Sequence, residues 1–170
     1  PIWEHALVTI GKAGAVSITV NNTGDVEGSY EIVLKLNGVE AEVKEVSLAG
    51  QSTEVITFYI EPQVVGVYNI EINSFRGTFE VKKDASFTIS SLSLEPALVT
   101  IGDAVAVSIT VNNTGDVEGS YELVLKLNGV EAEVKEVSLA GQATEVITFY
   151  IEPQVVGVYN IEINRFMGTF

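Results

Sequence analysis

Shifted by 91 positions, this sequence lies on itself: residues 6–79 match residues 97–170 at all but six of 74 positions. The six differences are Lys12/Asp103, Gly14/Val105, Ile32/Leu123, Ser52/Ala143, Ser74/Arg165 and Arg76/Met167. A repeat of fixed period means one folding unit used twice, and it constrains the architecture before any single residue does. Two small domains follow, residues 1–83 and 84–170. Identity this high marks a recent duplication, as in arrays that gain and lose units. A catalytic site gains little from an unchanged second copy, whereas a spacer or multivalent binder gains reach or avidity with each one.

Within a unit the pattern is strand, turn, strand. Val16, Ile18 and Val20 alternate with Ser17, Thr19 and Asn21, the period of two of a half-buried strand. Asn21-Asn22-Thr23-Gly24-Asp25 breaks it with turn formers. Tyr30, Ile32, Leu34 and Leu36 make the next inward row, and Asn37-Gly38 predicts a two-residue hairpin, since a type I′ turn needs positive φ twice. Val39, Ala41 and Val43 are expected on the inward face of the returning strand, with Glu40, Glu42 and Lys44 in solvent. The apolar phase then moves to Val46 and Leu48, which predicts a bulge or a change of sheet there. Further strands follow at Ile56, Phe58 and Ile60, at Tyr68, Ile70 and Ile72, and at Phe79 and Val81. With an opening strand near Leu7, each unit has about seven strands and no helix. The expected fold is all-β: two tandem seven-stranded immunoglobulin-like β-sandwiches. Between the repeats, Lys82-Lys83-Asp84 reads as a link, and Phe87, Ile89, Leu92 and Leu94 as a lead-in strand of the second unit.

The charge balance bears on partners. With 23 Asp and Glu against 9 Lys and Arg, the chain repels phosphate backbones and anionic membrane surfaces, so no nucleic acid and no membrane insertion are expected. No apolar run approaches the roughly 20 residues of a spanning helix. No signal peptide is visible at Pro1-Ile2-Trp3-Glu4-His5. There are no cysteines, so no disulfide framework exists.

Ala15-Val16-Ser17-Ile18-Thr19-Val20-Asn21-Asn22-Thr23-Gly24-Asp25 resembles the V-x-N-x-G signature of CARDB-type domains, cell-adhesion-related modules of bacteria and archaea. Leu34-Lys35-Leu36-Asn37-Gly38, Val43-Lys44-Glu45-Val46-Ser47-Leu48-Ala49-Gly50 and Gly66-Val67-Tyr68-Asn69-Ile70 extend the resemblance over both units. It implies immunoglobulin- or fibronectin-like sandwiches strung along secreted or surface-anchored proteins, and it carries over no catalytic residue. Independently, a tyrosine at the start of a late sandwich strand bonds back to the preceding corner. Tyr68 and Tyr159 are expected in that role.

Candidate chemistry is sparse. His5 is the sole histidine and Pro96 stands at its place in the second copy, so no Ser-His or Cys-His nucleophile repeats, and no enzyme is expected. Asp25 and Glu27, with Asp116 and Glu118, offer hard oxygen ligands to Ca²⁺ beside the Asn-rich turn, yet without EF-hand spacing; solvated turn chemistry is the favoured account of them. Asn21 and Asn112 open glycosylation acceptor tripeptides. Val33, Val55, Val67 and Tyr59 fall opposite the core rows, and several on one face would make a contact patch. Trp3 aligns with Leu94 and is expected as a core plug.

The expected function is an extracellular, cell-surface structural or adhesive repeat. Its partners are further copies, in cis or as a head-to-tail homopolymer in which a neighbour's strand completes an open edge, with surface glycans or proteins as others. The alternative is an accessory module binding carbohydrate or protein ligands, which calls for exposed aromatics such as Tyr59 and Tyr150 in a row. Each terminus cuts a repeat short, which favours a piece of a longer array, with head-to-tail contact between chains as the alternative.

Overall fold

The computed structural model describes residues 7–170, which fall into two compact units divided between Lys83 and Asp84. The described residues form strands and no helix. In the first unit these are β1 (Leu7–Thr9), β2 (Gly14–Asn21), β3 (Gly28–Leu36), β4 (Val39–Leu48), β5 (Thr53–Ile60), β6 (Gly66–Ile72) and β7 (Phe75–Lys82). One sheet runs β1-β7-β6-β3-β4 and the other pairs β2 with β5. Each strand faces one side inward at every second residue, so Val16, Phe58 and Ile60 from the small sheet meet Ile32, Leu34, Val46, Ile70, Ile72 and Val81 from the large one. Phe58 and Ile72 are wholly buried. The fold is an all-β sandwich.

The turn chemistry acts as the residues dictate. Asn37 (φ 50°) and Gly38 (φ 82°) make the β3–β4 hairpin. The Asn37 carboxamide also accepts from the Asn69 N–H at 2.9 Å, tying the hairpin to β6. The Tyr68 hydroxyl donates to the Val64 carbonyl at 3.0 Å and Tyr159 repeats this to Val155 at 2.9 Å, as expected for a corner tyrosine. Each ring lies on a phenylalanine, Tyr68 on Phe79 at 5.1 Å and Tyr159 on Phe170 at 5.2 Å.

β4 corrects one expectation. Val39 and Val43 are exposed, while Glu42 and Lys44 share the inward side with Val46 and Leu48. The register slip lies earlier than expected: Leu34 pairs with Glu42 but Lys35 with Glu40, so Ala41 is the extra residue. The apolar phase does not shift at Val46, because period two already joins Glu42, Lys44, Val46 and Leu48. Lys44 tolerates that side because it lies along the sandwich rim. Its Nζ donates to the Thr57 carbonyl at 2.6 Å and sits 4.9 Å from the Phe58 ring centroid. Lys135 repeats both contacts on Thr148 and Phe149.

The second unit comprises β8 (Phe87–Glu95), β9 (Val105–Asn113), β10 (Gly119–Leu127), β11 (Val130–Leu139), β12 (Thr144–Ile151), β13 (Asn160–Ile163) and β14 (Phe166–Thr169). Its sheets are β11-β10-β13-β14 and β12-β9-β8. Both units thus show seven strands, but not the same seven. β1 has no strand counterpart at residues 98–100, and β8 has none among the described residues of the first unit. One difference between the copies bears on this. A methyl added at Gly14 would stand 3.1 Å from Val8 Cγ2, so glycine leaves room for β1. At that position the second unit carries Val105, wholly buried.

Candidate functional site

The positions at which identical sequences sit in different surroundings are grouped around β8. β8 pairs antiparallel with the outer edge of β9, with Phe87 opposite Asn113, Ile89 opposite Val111 and Leu94 opposite Val107. Its apolar residues are spaced by two, then three, then two, and the extra residue is absorbed between Ser90 and Ser93, where Ser91 takes φ 57°. Phe87 stacks on Tyr121 at 5.2 Å. Phe87, Ile89, Leu92 and Leu94 all pack on the second core.

Three glycines admit this strand. A methyl on Gly119 would meet Ala85 Cβ at 2.4 Å and the Phe87 ring at 3.2 Å. On Gly115 it would overlap the Asp84 carbonyl, and on Gly168 it would meet Leu94 Cδ1 at 2.6 Å. The Asn-rich turn then fastens the entry of β8. The Ser86 N–H donates to Asn113 Oδ1 at 3.2 Å, and the Thr114 N–H and hydroxyl both donate to the Ser86 carbonyl, at 2.7 and 3.1 Å.

The first unit carries, among the described residues, the same seat without the strand. Among the described residues β2 pairs only with β5, and its other edge has no partner. Beside that edge runs a groove of about 440 Å³ whose lining includes Ile18, Val20, Gly28, Tyr30, Val46 and Phe75. Of its lining residues only Ile32 and Ser74 differ from their counterparts in the second unit. Tyr30 is 54% and Phe75 45% exposed, where Tyr121 and Phe166 are partly buried against the second core. Ile18 and Val20 are half-buried, where Ile109 and Val111 are wholly enclosed. A methyl on Gly28 would meet nothing within 4 Å. The turn itself is intact: the Asn22 amide donates to the carbonyls of Val26, Leu48 and Ala49, at 2.9, 2.9 and 3.2 Å.

The residues singled out from the sequence fall elsewhere or serve the turn. Asp25 and Asp116 each accept from a glutamine across the turn, Gln51 at 3.1 Å and Gln142 at 3.2 Å, while Glu27 and Glu118 stand in solvent. Among the described residues no three acidic or histidine side chains gather where a cation could be held. Asn21 and Asn112 each accept from a threonine hydroxyl on the neighbouring strand, Thr53 at 3.0 Å and Thr144 at 3.1 Å. Asn21 is exposed and Asn112 half-buried. Val55 and Tyr59 are exposed on β5, and Val67 on β6 in the other sheet. Val33 is half-buried against Val43, so these four do not form one patch. His5 and Trp3 lie outside the described residues. Sequence reasoning placed Tyr30 in the core row and passed over Gly28 and Phe75. A signal was available, since a glycine opening a strand pattern marks a close approach by other backbone or side chains.

No family model matches the sequence, and no curated protein matches it. Among solved structures the chain is similar to red sea bream transglutaminase, with a TM-score of 0.34 and 10% identity over 98% of this chain and 28% of that one. A likeness that loose carries no argument about fold or activity.

Proposed function

We propose that the chain is a structural and adhesive tandem repeat of a prokaryotic surface protein, working outside the cell through contacts between successive copies. The observation that carries this reading is the duplication of a sandwich with its own core. Each unit has its own core cluster, drawn wholly from its own residues, and the 74-position match repeats turns, lysine rim and corner tyrosine alike. A module with its own core that is copied almost unchanged is suited to adding length or valency. The resemblance to CARDB-type, immunoglobulin-like modules supports the same assignment.

The test pairs a gene with a micrograph. The reading expects further copies of the repeat in the parent gene, together with an export signal and a surface anchor, or linear assemblies of the purified chain under negative-stain electron microscopy. A chain that sediments as a strict monomer, from a gene with these two copies and no export signal, contradicts it.

A further inference from the structure

We propose that the groove beside β2 is a strand-accepting site, and that its occupant is an extended peptide strand with the residue pattern of β8, Phe-x-Ile-x-x-Leu. The second unit shows what the seat is for, since an almost identical lining there holds Phe87–Glu95. In the first unit the groove keeps the same lining apart from Ile32 and Ser74 and, among the described residues, holds no strand.

The residues that line the two seats correspond one to one across the 91-residue offset. The register of the second unit therefore transfers directly. An incoming phenylalanine lies opposite Asn22 and stacks on Tyr30, an isoleucine lies opposite Val20, and a leucine follows three residues later across a one-residue bulge. The strand runs antiparallel to β2 and takes up the hydrogen-bonding groups of its free edge. Ahead of the phenylalanine, a backbone N–H meets Asn22 Oδ1, which otherwise accepts from the Gly24 N–H at 3.0 Å, and a carbonyl meets the N–H and hydroxyl of Thr23. Gly24 and Gly28 leave the space that Asp84, Ala85 and Phe87 fill at Gly115 and Gly119.

Specificity comes from this pattern. An ordinary amphipathic strand alternates strictly by two, whereas this seat requires an aromatic first, a small residue two before it and a bulge after the fourth position. The groove and its register stand apart from the array reading.

A fluorescently labelled peptide of residues 84–92, titrated into the intact chain and followed by anisotropy, tests the site. The expected result is saturable binding of one peptide per chain, because the second seat is already filled. Gly28→Val should weaken it by about tenfold or more, since the added side chain occupies the space of the incoming ring, while the melting temperature holds. Phe87→Ala within the peptide should weaken it comparably, and that control needs no altered protein. Failure of the folded chain to bind, or equal binding by the Gly28→Val chain, overturns the proposal. Binding by a chain that remains monomeric and belongs to no longer array upholds the groove and counts against the array reading alone.

Discussion

The Asn113 carboxamide donates to the carbonyls of Val117, Leu139 and Ala140 and accepts from the N–H groups of Gly115 and Ser86. It is wholly buried, so these backbone groups have no water to turn to if it is removed. An unsatisfied buried polar group costs about 1–3 kcal/mol, and Asn113→Ala should destabilise the second unit by about 3 kcal/mol. Asn22→Ala removes the same donor from a half-buried turn that water reaches, and should cost the first unit about half as much. Calorimetry on the two variants checks the ratio. Similar losses at both sites would mean that β8 does not seal the turn. The sequence shows both asparagines as turn formers, and to that extent they are legible. It does not show that one of them anchors a strand, because the difference arises from what arrives beside it.

At the scale of elements, most of the strands can be found from period two and turn residues alone: β2, β3, β5, β6 and the hairpin at Asn37-Gly38. β8 is legible too, from Phe87, Ile89, Leu92 and Leu94, although spacing alone does not say that it seats on β9. β4 misleads because its solvent side is as apolar as its core side. Val39, Ala41 and Val43 imitate a core row, while Lys44 shelters a long stem behind a rim ammonium. The core-row reading of Tyr30 fails for a different reason: its cover is supplied by a strand that the described first unit lacks. This yields a prediction for the intact chain. Phe87→Ala removes the ring that stacks on Tyr121 and covers Gly119. A partly buried aromatic lost from a core edge should cost the second unit about 2 kcal/mol, below the 3–5 kcal/mol of a fully buried one. In a thermal scan only that unit's transition should fall. A shift of both transitions would mean that the units do not melt independently.

At the scale of the whole molecule, two nearly identical sequences form sandwiches that differ at two edges among the described residues: β1 joins the first unit's large sheet without a counterpart, and β8 makes the second unit's small sheet three-stranded where the first has a pair. The candidate site is therefore not a cluster of reactive side chains, and motif reading of either unit alone does not find it. It emerges from comparing the copies. Acidic residues, acceptor tripeptides and exposed valines drew notice in the sequence because chemistry is usually carried by such groups. The open edge is carried by backbone, two glycines and two aromatic rings, none of which declares a partner in sequence. Seen this way, the duplication means more than extra length. It supplies a reference state for each half, with the filled seat of the second unit showing what the first unit is shaped to accept.

Amide hydrogen exchange across the two copies measures that claim directly. β2 and β9 share their sequence apart from Gly14 and Val105, so intrinsic exchange rates nearly cancel and the comparison reports pairing alone. The account predicts that β9 is protected along both edges and that β2 is protected only where it pairs with β5, with the remaining β2 amides exchanging rapidly until the 84–92 peptide is added. Equal protection of β2 and β9 in the chain by itself would contradict it.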